Sequence, residues 1–193
     1  MGLVFQNPEN QLFSLSVERD VAFGLENLAV EREAAIERVN WAMEVTGILH
    51  LRNKAPYELS GGQQQRAAIA GVLAMRPNII VLDEPTSFLD PKTAEEILKV
   101  ISRLNRELGL TILLVEHRLD TVSAYANRVI VMDKGKIVLD GPPEQVYDEP
   151  ARMIGIGLPK VTILFHLLKR DGIPVTTNPV TVTQAAEALR RIC

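Results

Sequence analysis

The residues best suited to chemistry cluster at the ends of predicted strands and at one helix start. In Leu59-Ser60-Gly61-Gly62-Gln63-Gln64-Gln65-Arg66, a serine and two glycines directly precede a predicted helix. Backbone N–H groups there can approach an anion, the helix N-terminus adds partial positive charge, and the Ser60 hydroxyl can donate. The structural alternative is a helix cap followed by a turn. Four apolar residues, Ile79-Ile80-Val81-Leu82, run into Asp83-Glu84-Pro85. Carboxylates at the carboxyl end of a buried parallel strand lie where such sheets bind ligands. Asp83 suits Mg²⁺, directly or through water, and Glu84 suits a general base that polarises an attacking water. Two solvated acids are the alternative. His117 follows the next apolar run and emerges at the same sheet edge, where a neutral imidazole can contact a γ-phosphate or position the water. Gln6 ends the apolar run Gly2-Leu3-Val4-Phe5, and its amide can reach Mg²⁺ or the water. Asp90, just past the acidic pair, is placed either to reach across an interface or to cap a helix. His50 and His166 fall on predicted helices and are read as structural.

The elements that position these residues follow from periodicity and punctuation. Helices are predicted over 16–28, 31–49, 63–75, 93–108, 119–126, 143–147, 160–170 and 183–191. The last of these takes a threonine N-cap. Strands are predicted over 2–5, 79–82, 111–115, 129–132 and 137–139, the last two as a hairpin around Lys134-Gly135. Strands alternating with helices from residue 79 onward indicate an α/β fold with a parallel sheet. Almost everything between 10 and 76 is helical, which predicts a helical subdomain. The expected division is 1–9, core strand and loop; 10–76, helical subdomain; 77–141, catalytic α/β core; and 142–193, a C-terminal extension.

Composition narrows the field. The chain has 193 residues, 47% hydrophobic, 23% charged and 5% aromatic, with a formal net charge of −3. A chain of this size buries roughly 70% of its unfolded surface, enough for a core without disulfides. The acidic balance argues against a basic nucleic-acid binder. One cysteine, Cys193, excludes a disulfide framework and a multi-cysteine zinc site, and fits a reducing cytosol. No signal peptide is expected from Met1-Gly2-Leu3, and no run reaches the ~20 apolar residues of a membrane helix.

In order, Gln6, Ser60-Gly61-Gly62-Gln63, Ile79–Asp83, Glu84, Leu89-Asp90 and His117 resemble the motifs of the ATP-binding subunit of ATP-binding cassette (ABC) transporters. Gln6-Asn7-Pro8-Glu9-Asn10-Gln11-Leu12, Val21–Asn27, Glu116–Asp120, Gly157-Leu158-Pro159 and Thr181-Val182-Thr183 resemble its energy-coupling factor and cobalt/nickel branch, whose importers take up vitamins or metal ions. The resemblance covers essentially the whole chain. It implies a P-loop NTPase fold of parallel sheet plus helical signature subdomain, with ATP and Mg²⁺ as cofactors. Gln6, Glu84 and His117 would be catalytic, and Asp83 and Gln6 would serve the metal. Ser60 to Gln63 and Asp90 would serve nucleotide across a head-to-tail dimer. A transmembrane coupling subunit would be the further partner, and the location the inner face of the cell membrane. Phe88 stands where many relatives have Gly, which loosens the match there.

A phosphate loop G-x-x-x-x-G-K-[ST] is not found. The single Gly-Lys pair, Gly135-Lys136, is followed by Ile137, and Ile130 stands where the first Gly belongs. In the family that loop lies upstream of the Gln6 strand, so the expectation is a truncated gene or expressed fragment. The sheet would then lack early strands and expose an edge or apolar face. An importer ATPase is the first reading. A catalytically silent partner that lends its signature to an intact subunit is the second. A DNA-repair ATPase of the same superfamily is the third, disfavoured because neither a long coiled coil nor a zinc module is present.

Overall fold

The computed structural model describes residues 1–148 and 157–191, so Cys193 lies outside the described residues. The chain forms two compact units, Met1–His117 and Arg118–Cys193. That division falls inside the 77–141 segment expected to be one core.

In the first unit, strands β1 (Gly2–Val4), β2 (Ile79–Asp83) and β3 (Thr111–Val115) form a parallel sheet in the order β1-β2-β3. The register pairs Leu3 with Val81 and Val81 with Leu113. Successive residues point to opposite faces. One face therefore carries Gly2, Val4, Ile80 and Leu82. Helix α3 (Gly61–Ala74) packs on it so closely that a Cβ on Gly2 would lie 2.2 Å from Val72 Cγ1. The other face carries Leu3, Ile79 and Leu113, which are exposed, as are Phe5 and Val115. Parallel sheets are ordinarily covered on both faces, whereas this apolar face is exposed.

Helices α1 (Val17–Asn27) and α2 (Arg32–Val45) pack with α3 as a helical layer, and Val17, Val21, Leu25, Ala42 and Met43 are fully buried there. Helix α2 ends at Val45 because Gly47 takes φ +75°, earlier than the expected 49. Helix α4 (Pro91–Leu108) buries Ala94, Ile97, Leu98, Ile101 and Leu104 at helical spacing and is closed by Gly109 at φ +64°.

In the second unit, a short helix α5 (Leu119–Val122) precedes strands β4 (Val129–Asp133) and β5 (Lys136–Gly141). These pair antiparallel, with a register irregularity between Val131 and Met132. Lys134 and Gly135 both have positive φ, which a two-residue hairpin turn with the right twist requires. The Gly-Lys pair is thus part of a hairpin. Arg128 grips Asp140 across the ladder at 2.7 and 2.6 Å. Helix α6 (Pro143–Val146) leads to Tyr147, which packs with Val146 and Val180. Helices α7 (Lys160–Arg170) and α8 (Val182–Arg190) enclose Phe165, Val175 and Ala185. The capping threonine of α8 is Thr181, so that helix begins one residue earlier than expected.

Burial raises the Tyr147 phenol above its ordinary 10.0, against a smaller opposing pull from a Ser123 hydrogen bond. A phenol that keeps its proton longer in the folded state stabilises that state less as pH rises past the unfolded value. The stability contribution is complete below pH 10 and is lost through the higher folded value. Alkaline unfolding of the protein should therefore steepen above pH 10. Tyr147→Phe should remove that part of the pH dependence while keeping the buried ring. An identical alkaline profile for the two proteins would contradict it.

Candidate functional site

The parallel sheet sends the carboxyl ends of its three strands to one edge, and each strand delivers one side chain. Gln6 follows β1, Glu84 follows β2 and His117 follows β3. They meet at the Glu84 carboxylate. Gln6 Nε2 donates to Oε2 at 2.7 Å, and His117 Nδ1 lies 3.4 Å from Oε1. The Ser87 hydroxyl adds a second donor to Oε2 at 2.7 Å. Glu84 is about a quarter exposed, at 27%, whereas His117 is largely open to solvent. The Glu84 backbone is left-handed, with φ +43°. Such a conformation costs a non-glycine residue on the order of 1–3 kcal/mol and persists where surroundings over-determine it. Here they do: Glu84 N–H donates to Val115 O at 2.9 Å, and Ser87 N–H returns to Glu84 O at 3.2 Å.

Asp83 ends β2 beside this group and is exposed. Gln6 spends its amide nitrogen on Glu84, so its carbonyl oxygen is the atom suited to a cation. Among the described residues, no cluster of three or more His, Cys, Asp or Glu could hold a metal unaided. The loop after Gln6 is also tied down. Gln11 accepts from Phe5 N–H at 3.1 Å and donates to Leu3 O at 3.3 Å, taking the place of a strand neighbour. Buried Asp20 accepts from Phe13 and Ser14 N–H, both at 3.0 Å. Phe13 meets Phe23 edge-on at 4.7 Å.

Ser60 caps α3 in a reciprocal box: its Oγ accepts from Gln63 N–H at 3.4 Å, and its N–H donates to Gln63 Oε1 at 3.0 Å. The capping role and an anion-binding role are therefore compatible at one helix start. Gly61 has room bounded by Leu89 at 3.4 Å, whereas a Cβ on Gly62 would lie 2.3 Å from Thr93 Cγ2. Gly62 thus has a packing reason that the anion argument alone did not supply. A cavity of about 350 Å³ opens beside Ser60, Gly62 and Gln63, with His50 and Arg66 also on its wall. Asp90 caps α4, accepting from Lys92 and Thr93 N–H at 3.1 Å each. Its hydrogen bonds with Thr93 hold its carboxyl below the usual value.

The three-strand group and the signature start are separate assemblies on one unit, not a single pocket. Sequence reasoning missed Ser87, Thr86, Glu116 and Arg66. Arg66 donates to Thr46 O at 3.1 Å and meets Glu96 at 3.3 Å, fastening α3 to α2 and α4. Glu116 had a readable signal, since it leaves its strand beside the strand that delivers Glu84.

Residues 1–87 match the family described as ABC transporter. The chain is 46% identical over 192 residues to the energy-coupling factor transporter ATP-binding protein EcfA1 of Caldanaerobacter subterraneus subsp. tengcongensis, spanning 98% of this chain and 69% of that protein. It is similar to the solved cbiO1 from Clostridium perfringens, part of the ABC transporter complex cbiONQ, with TM-score 0.73 and 43% identity over 86% of this chain and 66% of that one. A dimeric ATP-binding cassette in a post-hydrolysis state, bound to ADP and Pi, gives TM-score 0.62 and 33% identity over 73% of this chain and 62% of that one. Fold and site together define the class: an ABC-type ATPase with the P-loop NTPase fold. The chain belongs to the energy-coupling factor transporter ATP-binding proteins of the ABC transporter family. It spans about two thirds of the length of these relatives.

The packing of Gly62 against Thr93 can be checked directly. Overpacking costs about 1–3 kcal/mol, while alanine gains up to about 1 kcal/mol of helix propensity over glycine. Gly62→Ala should therefore lower stability by roughly 1–2 kcal/mol. Adding Thr93→Ser, which removes the crowding methyl, should recover most of it in thermal unfolding. If Gly62→Ala melts at the wild-type temperature, Thr93 is not what demands glycine.

Proposed function

We propose that this chain is the ATP-hydrolysing subunit of an energy-coupling factor-like importer, coupling hydrolysis to uptake of a vitamin or metal ion across a membrane. The observation that carries this reading is the Glu84 carboxylate, held by Gln6 and Ser87 with His117 alongside. Glu84 takes the proton of the attacking water. His117, largely exposed at the same edge, reaches the terminal phosphate or the water. Gln6 links that chemistry to the loop after it. Asp83 and Gln6 would hold Mg²⁺, which supplies charge neutralisation at the phosphates. Ser60, Gly61, Gly62 and Gln63, with Asp90, serve ATP held by a second ATPase subunit placed head to tail. The proposed functional segments remain 1–9, 10–76, 77–141 and 142–193.

The exposed apolar side chains Phe13, Leu15, Phe23 and Leu28 follow the Gln6 strand and lie on or near α1. They support docking of a transmembrane coupling subunit. Among the described residues no helix is long and apolar enough to cross a membrane. The proposed location is peripheral, on the inner face of the cell membrane. A second reading is a silent partner that lends its signature, the capped helix start at Ser60, to an intact subunit. ATP affinity of the chain alone separates the two, since tight binding would defeat the silent-partner reading.

Glu84→Gln should abolish turnover while ATP-dependent dimerisation, followed by size-exclusion chromatography, persists. His117→Ala should cost most of the rate. Wild-type turnover in the first variant would strip Glu84 of the role of base.

A further inference from the structure

Glu116 leaves β3 one residue past Val115, which is in register with Asp83 of β2. It therefore stands beside Glu84. Its Oε1 accepts twice from a single residue, from the Thr86 hydroxyl at 2.5 Å and from Thr86 N–H at 3.3 Å. Thr86 is buried, and its carbonyl in turn accepts from Leu89 N–H at 3.2 Å. The turn bearing Glu84 is thus pinned to β3 on both sides of its strained residue, through Glu84 N–H to Val115 O and through Thr86 to Glu116. Ser87, the neighbour of Thr86, is the residue whose hydroxyl reaches Glu84 Oε2. Among the described residues, the buried Glu116 Oε2 has no hydrogen-bond partner.

We propose that Glu116 is a positioning residue: through Thr86 it fixes the left-handed turn that presents the Glu84 carboxylate to Gln6, and it ties that turn to the backbone bearing His117. The proposal rests on the reading of Glu84 as the base, but it concerns placement, which can be read without turnover. The side-chain amide of Gln6 donates to Glu84 at 2.7 Å and so reports where that carboxylate is. In a proton–nitrogen correlation spectrum of the full chain, Glu84→Ala marks the resonance of the released amide. Thr86→Val keeps the shape of residue 86 and removes its hydroxyl. It should move the Gln6 amide most of the way to the Glu84→Ala position, as should Glu116→Ala. Thr86→Ser, which restores the hydroxyl, should return it to the wild-type position. If the Gln6 resonance stays in place in folded Thr86→Val, even with a lower melting temperature, the contact only stabilises and the proposal is wrong. Thr86→Val decides the matter by itself even if Glu116→Ala does not fold. Failure of Glu84 as base would appear instead as wild-type turnover in Glu84→Gln, and it would leave the response of the Gln6 resonance to Thr86→Val unchanged.

Discussion

One carboxylate organises the sheet edge. Glu84 sits in a left-handed conformation that no side chain adopts freely, and the contacts around it have to repay that strain. Hydrogen bonds to a charged group contribute about 1.5–3 kcal/mol each. Gln6 and Ser87 supply two such bonds to a partly screened carboxylate, enough to offset the backbone cost. The Gln6 bond is available only because the strands are parallel. An antiparallel neighbour would send its end to the opposite edge, and Gln6, Glu84 and His117 could not converge. The order β1-β2-β3 puts the acid on the central strand with one donor group from each flank.

The signature start is reached from this edge through α4. The turn after Glu84 ends at Asp90, which caps α4. Thr93, in the first turn of α4, fills the space that makes Gly62 a glycine, and Glu96, one turn on, pairs with Arg66 of α3. Displacement of the turn would therefore be carried by a continuous set of packed contacts to the helix that begins at Ser60. The dense interdigitation of such contacts transmits strain instead of absorbing it.

Much of this was legible in the residues. The apolar runs that end in Gln6, Asp83-Glu84 and Glu116-His117 announce strands whose ends carry chemistry, and the amphipathic spacing of Ile97, Val100, Ile101 and Leu104 announces α4. The Lys134-Gly135 turn is explicit in its residue types, and both residues take positive φ. What escaped depends on three-dimensional proximity. Thr86 and Glu116 are thirty positions apart, and although the strand end marks Glu116, nothing in the residues pairs it with Thr86. Gly62 reads as a phosphate-facing glycine, and only the approach of α4 shows that Thr93 excludes a side chain there. The helical stretch expected to reach 49 stops early because Gly47 turns left-handed, and glycine inside an apolar pattern does not reveal its φ. The boundary of the compact units after His117 was likewise invisible, because the alternation of strands and helices continues past it.

The two assemblies differ in electrostatic character, and that difference bears on how the chain would meet a nucleotide. The sheet edge gathers Asp83, Glu84 and Glu116, with the Glu84 carboxylate contacted by an amide, a hydroxyl and an imidazole. Such an edge repels a polyphosphate until a cation intervenes, since like charges at short range in a partly desolvated site are costly. The start of α3 is the reverse: a helix N-terminus whose dipole favours anions, behind a serine and two glycines. The proposed binding of a polyphosphate would therefore need a cation at the sheet edge and none at the start of α3. In the proposed head-to-tail pairing with a second subunit, each acidic edge would face the other's helix start. In the proposed dimer, Glu84 and Ser60, distant in sequence and separate in the fold, would act on one ATP.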